Sequence, residues 1–153
     1  MKLLSIAIPS YNSEKFMRKC IDSLLPGGEE VEIIVVNDGS KDGTGAVADE
    51  YAKKYPTIVK AVHQENGGHG EAVNAGLRNA TGLYYKVVDS DDWVNEEAYL
   101  KILKTLAELV KSGDMVDMFI SNSALRIWWI LSAAASPGRI MRSSCAGFRR
   151  PAP

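Results

Sequence analysis

The sequence predicts an α/β fold: three layers, with helices on both faces of a mainly parallel sheet. Three observations carry that prediction. Short apolar runs alternate with longer segments of helical period through the first 121 residues. The runs are almost continuously apolar, as strands covered by helices on both faces must be. The intervening segments are long enough to return the chain for a parallel neighbour, through right-handed crossovers.

Taken in order, Leu3 to Ile8 reads as the first strand. Ser13 is placed to cap a helix from about Glu14 to Leu25, with Phe16, Cys20, Ile21, Leu24 and Leu25 on its inner face. Pro26-Gly27-Gly28 ends it. Val31 to Val36, rich in β-branched residues, is the second strand. A helix from about Thr44 to Tyr55 is broken by Pro56. Ile58 to His63 is the third strand, Gly70 to Ala80 a helix, and Leu83 to Val88 the fourth strand. A long helix from about Asn95 to Lys111 and a fifth strand from Met115 to Ile120 follow.

The chain has 153 residues, enough for one domain with its own core. A net charge of −1 gives no basic surface for nucleic acid. The apolar start is stopped by Pro9 and Asn12 and lacks a small-residue cleavage site, so it reads as a strand and not a leader. No run approaches the roughly 20 apolar residues of a membrane helix. Cys20 and Cys145 have neither CxxC nor zinc spacing, which suits a reducing cytoplasm.

Composition changes abruptly near residue 123. The segment before it holds all eleven lysines, all nineteen acids and two arginines, for a net charge of −6. Residues 124–153 hold five arginines, no lysine and no acid. The expectation is a domain over 1–122 and an atypical arginine-rich tail over 123–153, disordered or read out of frame.

In open α/β sheets, ligands bind beyond the carboxyl ends of the strands. The first four strands are each followed there by a loop of unusual composition. These are Pro9-Ser10-Tyr11-Asn12, Asn37-Asp38-Gly39-Ser40-Lys41-Asp42-Gly43, Asn66-Gly67-Gly68-His69-Gly70 and Asp89-Ser90-Asp91-Asp92-Trp93. The fourth carries the sharpest signal. Three carboxylates in four residues repel one another unless a cation or hydrogen-bond donors compensate them. Mg²⁺ or Mn²⁺, shared with substrate phosphates, suits such oxygen ligands. A solvated acidic turn at a helix start is the plainer alternative. Asp38, at a strand tip, could accept a hydrogen bond from a base or ribose, or serve an Asx-turn, with Ser40 and Asp42 as caps. Tyr11 could offer its ring to a base, while Pro9 and Ser10 could offer backbone groups. The glycine loop is not a P-loop, because no Gly-Lys-Ser/Thr follows. It reads first as a turn, with His69 a secondary candidate for phosphate or sugar. His63, inside a strand, reads as structural.

Together the segments Ile6-Ala7-Ile8-Pro9-Ser10-Tyr11-Asn12, Glu32 to Ser40 with Asp42-Gly43-Thr44, Gln64 to Gly68, and Asp89 to Asp92 resemble the family 2 glycosyltransferases. The order and spacing agree over about 120 residues. The resemblance implies the GT-A fold, a UDP- or GDP-linked sugar donor, a glycan or lipid acceptor, and a Mg²⁺ or Mn²⁺ ion. It implies that Tyr11 lies near the base, that Asp38 bonds it, and that Asp89 and Asp91 occupy the DXD-like positions at ribose and metal. Asp92 extends the cluster. Transfer would invert the anomeric centre, with a carboxylate base deprotonating the acceptor. Cell-surface polysaccharide or glycolipid synthesis in the cytoplasm, at the inner face of the membrane, is the family-level expectation.

Two departures accompany the resemblance. Val73 stands before Asn74 where many relatives carry arginine. No residue in 123–153 matches the family's catalytic base, so the catalytic residue is left unassigned. Asp114 and Asp117 flank the fifth strand without marking themselves as substitutes. The competing expectation is therefore a fragment that binds a nucleotide sugar without transferring it, with an apolar sheet edge inclined to self-associate. A sugar-nucleotide nucleotidyltransferase would need a basic glycine loop after the first strand, which Pro9 to Asn12 does not supply. A haloacid-dehalogenase-type phosphatase would carry its aspartate pair after the first strand instead of the fourth.

Overall fold

A computed structural model of the chain describes residues 1–114, 116–123 and 126–132, with side chains described as far as Phe119. The strands are β1 (Leu4–Ser10), β2 (Val31–Asp38), β3 (Val59–Gln64), β4 (Tyr84–Val87), β5 (Met118–Ser123) and β6 (Arg126–Ser132). The helices are α1 (Met17–Leu24), α2 (Thr44–Lys54), α3 (His69–Asn79) and α4 (Glu96–Ser112). They build a six-stranded sheet in the order β3-β2-β1-β4-β6-β5. β1 lies between β2 and β4 and is parallel to both. β6 runs antiparallel to its neighbours β4 and β5.

The two faces of the sheet are covered unequally. Met17, Cys20, Ile21 and Leu24 of α1, Val47, Ala48 and Tyr51 of α2, and Tyr99, Ile102, Leu103 and Leu106 of α4 share one core with Ile6, Ile8, Ile33 and Val35. Ala72 and Ala75 of α3 pack on the opposite face against Ile34 and Val36. Small residues let α3 approach closely. A Cβ on Gly76 would lie 2.5 Å from the Cβ of Ala7. The chain thus changes faces when it passes from β3 to β4, and the strand order reverses beside β1.

Several expectations are corrected by the structure. α1 starts at Met17, because the Ser13 carbonyl accepts from the amides of Phe16 and Met17 in a turn, while the Ser13 hydroxyl donates to the Tyr11 carbonyl. Phe16 therefore precedes the helix and is 57% exposed instead of facing the core. Pro26-Gly27-Gly28 does end the helix, within a 3-10 turn over Leu25–Glu30. The fifth strand is shifted to Met118–Ser123. A sixth strand lies beyond the composition break, where the β-branched and aromatic run Ile127-Trp128-Trp129-Ile130-Leu131 has high strand propensity. Of the atypical tail expected over 123–153, residues 124–125 and 133–153 lie outside the described residues.

One buried polar cluster ties the early strands together. Glu32 in β2 accepts from Ser5 Oγ at 2.5 Å, from the amide of Gly82 at 3.0 Å, and from the amide and hydroxyl of Thr81. Burial alone would raise its pKa, but these donors outweigh burial and hold the carboxyl below its ordinary value. The ionised form thus contributes stability that is complete above the unfolded pKa of about 4.3 and is lost as the pH falls through the lower folded value. Glu32→Ala leaves several buried donors unpaired and is expected to destabilise the chain by about 2–3 kcal/mol in urea denaturation. Below about pH 4.3 the stability of the wild type should fall more steeply than that of Glu32→Gln.

Candidate functional site

Parallel pairing fixes the edge on which the polar loops meet. Ser10 is in register with Asn37, and Asp38 with Gln64, so the tips of β1, β2 and β3 are neighbours. Pro9 is buried at the end of β1 beside Val36. Tyr11, the next residue after the strand, is half exposed. Asn12 adopts φ 50° and turns back toward the second loop. Its amide donates to Ser40 Oγ at 3.0 Å, and its side-chain oxygen accepts from the Lys41 amide at 2.9 Å.

Asp42 has the turn role. Its Oδ1 accepts from the amide and hydroxyl of Thr44, and its Oδ2 from the Glu14 amide. Burial pushes its pKa up, but these donors prevail and hold it low. Thr44, which sequence reasoning did not single out, also accepts from the Ser13 amide at 2.8 Å. Glu14 closes the same seam by accepting from the Gly43 amide.

Asp38 is 2% exposed, and its carboxylate is already engaged. Oδ1 accepts from Gln64 Nε2 and from the Gly67 amide, both at 2.8 Å, and Oδ2 accepts from the Gly68 amide at 2.9 Å. Burial opposes ionisation, but the donors from Gly67, Gln64 and Gly68 outweigh it and lower the pKa. In the sequence Gln64 and Asn66 stand out only as part of the segment Gln64 to Gly68. The signal that could have found Gln64 is its place at the tip of the strand beside β2. His69 opens α3 next to this loop and is exposed. His63 is held by Asn37 at 3.1 Å and Asp49 at 2.9 Å, as a structural residue would be.

The fourth loop lies across the strand-order reversal from the first, where open α/β sheets form their binding crevice. Its backbone turns through a bond from the Asp92 amide to the Asp89 carbonyl at 3.0 Å. Ser90 Oγ donates to Ser13 Oγ at 2.8 Å, and Val94 N to Ser23 Oγ at 3.1 Å, so the turn before α1 and α1 itself both support the loop. The side chains of Asp89 and Asp91 are exposed, and Asp92 is half-buried. Lys19 lies 3.1 Å from the ring centroid of Trp93, closing one flank. Lys86, at the end of β4, has its pKa lowered by burial, against the opposing pull of Asp89 and Asp92.

Among the described residues, no three His, Cys, Asp or Glu side chains converge as a ready-made metal cage. The donor set fits a different kind of site. Two exposed carboxylates on one turn suit a hard cation that takes its remaining ligands from phosphates and water. A shallow groove of about 390 Å³ lies at the opposite end of the sheet, between Pro26, Gly27 and the α4 residues Leu100 and Leu103. None of the four loops lines it.

Cys20 sits under the acidic loop, its thiol 3.5 Å from the Asp89 carbonyl. Burial first, then the charges of Asp92, Asp89 and Asp91, push its pKa up to about 12. In a Cys145→Ser background, Cys20 of the folded chain is expected to react with a thiol reagent at pH 8 about a hundredfold or more slowly than a free cysteine. Full reactivity should return in urea. Rapid reaction of the folded chain would contradict this packing.

The chain resembles known glycosyltransferases in sequence and in fold. EpsJ of Bacillus subtilis (strain 168), an uncharacterized glycosyltransferase, is 44% identical over 101 residues, covering 65% of this chain and 29% of EpsJ. GgaB of the same organism, a minor teichoic acid biosynthesis protein, is 30% identical over 158 residues, covering 94% of this chain and 18% of GgaB. The chain thus spans less than a third of the length of either relative. The crystal structure of S. aureus TarS 1-349 in complex with UDP-GlcNAc superposes with a TM-score of 0.64 at 31% identity, covering 82% of this chain and 36% of TarS. Its fold is the GT-A arrangement seen here. The family described as Glycosyl transferase family 2 matches residues 5–150, through the loop edge and onward across the arginine-rich segment. With nearly its whole length matched, and with the sheet and loops in the family's order, this chain belongs to glycosyltransferase family 2.

Proposed function

We propose that the chain binds a nucleoside diphosphate sugar, UDP- or GDP-linked, across the loop edge, and that it serves inverting, metal-dependent transfer of the sugar to an acceptor hydroxyl. The observation that carries this reading is the placement of exposed Asp89 and Asp91 at the strand-order reversal, opposite the loop of Tyr11. The UDP-GlcNAc complex of TarS supports a nucleotide sugar as the ligand class. The teichoic acid role of GgaB supports a glycan or lipid acceptor in cell-surface polymer synthesis. No helix among the described residues is long and apolar enough to cross a membrane. We place the work in the cytoplasm, in peripheral association with the inner face of the membrane.

In this reading Pro9, Tyr11 and Asp38 form the nucleoside end of the site. The exposed ring of Tyr11 offers a face on which a base can stack. Asp89 and Asp91 form the diphosphate end, Asp89 toward the ribose and Asp91 as the metal ligand, with Asp89 or Asp92 as the second. A bound Mg²⁺ or Mn²⁺ would supply Lewis-acid neutralisation of the departing diphosphate. His69 stands at the start of α3, in reach of phosphate or sugar as a subsidiary contact. During transfer the acceptor oxygen bonds to the anomeric carbon as the bond to the diphosphate breaks, and the acceptor proton passes to a carboxylate base. No residue of this chain is assigned as that base. Donor binding without transfer is the second reading.

Calorimetric titration with UDP and with GDP, each with and without Mn²⁺, tests the assignment. Wild type should bind one nucleotide in a metal-dependent manner. Asp91→Ala should weaken that binding by at least the roughly 10–100-fold that loss of even an outer-shell partner costs a metal site. Equal binding by both proteins would count against the site. Release of nucleoside diphosphate from a donor sugar distinguishes transfer from binding alone.

A further inference from the structure

His63 closes a chain of hydrogen bonds that begins in the second loop. The Ser40 amide, which can only donate, donates to Asn37 Oδ1 at 3.1 Å. That bond fixes the orientation of the carboxamide and turns its Nδ2 toward the ring of His63, 3.1 Å from Nδ1. An amide NH₂ is a donor, so Nδ1 accepts and carries no proton. The ring proton is then on Nε2, which donates to Asp49 Oδ1 at 2.9 Å. The chain crosses three elements, from the loop after β2 through the tips of β2 and β3 to α2. It needs close approach of α2, where a Cβ on Gly45 would lie 2.9 Å from Asn37 Nδ2. Ser40 is also the residue whose Oγ accepts from the Asn12 amide at 3.0 Å, so the same chain reaches the first loop.

Protonation of His63 puts a hydrogen on Nδ1 and sets donor against donor at Asn37. The carboxamide can turn over to present Oδ1 to the ring, but Nδ2 then faces the Ser40 amide. One bond of the chain is lost either way. Asp49 accepts from Nε2 in both states and draws the ring toward the cation. Of the charged groups on α2, Asp49 meets the ring, with Lys53 one turn further along, while β2 brings the neutral Asn37 to it. We propose that His63 is a positioning residue of the donor site. Neutral, it orients Asn37 to hold Ser40 and so joins the second loop to the first. Protonated, it releases that hold. The assignment rests on the donor-site reading above, in which these two loops carry Asp38 and Tyr11, and it gives the nucleoside end a proton-sensitive support.

Long-range ¹H–¹⁵N spectra of the ¹⁵N-labelled full chain identify the tautomer. Where His63 is neutral its proton should be on Nε2, and a proton on Nδ1 would overturn the proposal. As the pH is lowered through the His63 titration, the Ser40 amide proton should move upfield with the same midpoint. A Ser40 amide that ignores that titration would also sink the idea, and this arm needs no variant. In His63→Asn, whose side-chain oxygen can accept from Asn37 in place of Nδ1, the movement should be absent. Calorimetry with UDP and with GDP, in the presence of Mn²⁺, reads the consequence at the site. Protonation of His63 should weaken wild-type binding about fivefold beyond any change in His63→Asn, the order of one lost hydrogen bond. Titration of the nucleotide and of His69 is common to both proteins and drops out of the comparison. The same pH dependence in both would show that His63 does not position the site. If neither nucleotide binds at any pH while the Ser40 amide still follows His63, the donor-site reading fails, and the link between His63 and the second loop stands apart from it.

Discussion

β1 is hydrogen-bonded on both sides by parallel strands, and that pairing constrains everything else in the chain. Parallel neighbours put all their carboxyl ends on one edge, so the loops after β1, β2, β3 and β4 have to meet there. Pairing on both edges leaves β1 no exposed flank, and every residue of the strand is buried. Helices cover both faces of the sheet, so its side chains are apolar apart from Ser5 and Ser10. The reversal of order between β1 and β4 then sends α3 to one face and α4 to the other. This opens the crevice between the Tyr11 loop and the Asp89 loop.

Around that crevice the chain treats its acids in two ways. Glu32, Asp38 and Asp42 sit in contact with amide and hydroxyl donors, and in each case the donors overcome burial and keep the group ionised. These acids join one segment of chain to another: β2 to the turn before β4, the second loop to the third, the second loop to the first. Asp89 and Asp91 are exposed at the end of their strand. Hydrogen bonds that fix the position of their loop come from its backbone and from Ser90, not from their carboxylates. The frame is thus rigid under a turn whose acidic oxygens face solvent.

Much of this could be read from the residues. Period and β-branching located nine of the ten described helices and strands, because burial on both faces of a parallel sheet demands long apolar runs. The missed element was β6. Its Ile-Trp-Trp-Ile-Leu core is a good strand, but the arginine-rich composition around it masked the local pattern. Helical spacing puts Phe16 on the inner face, but the Ser13 carbonyl closes a turn there and the helix begins one residue later, at Met17. The four loops were legible as a set from their composition. What a linear sequence could not display was the partner of Asp38. The three donors lie 26 to 30 residues away and become neighbours only through the pairing of β2 with β3.

The far side of the sheet is assembled on another principle. β5 and β6 pair over six residues each way, from Met118 with Leu131 to Ser123 with Arg126, so they form a local hairpin. That hairpin joins the remainder through β6 against β4 at two residue pairs, Tyr84 with Ser132 and Tyr85 with Leu131. Loop closure within a hairpin is rapid, whereas the crossover half must first bring together segments tens of residues apart. With only two ladder pairs at the boundary between β6 and β4, the hairpin's hold on the parallel half also draws on side-chain burial, through Phe119 of β5 against the main core.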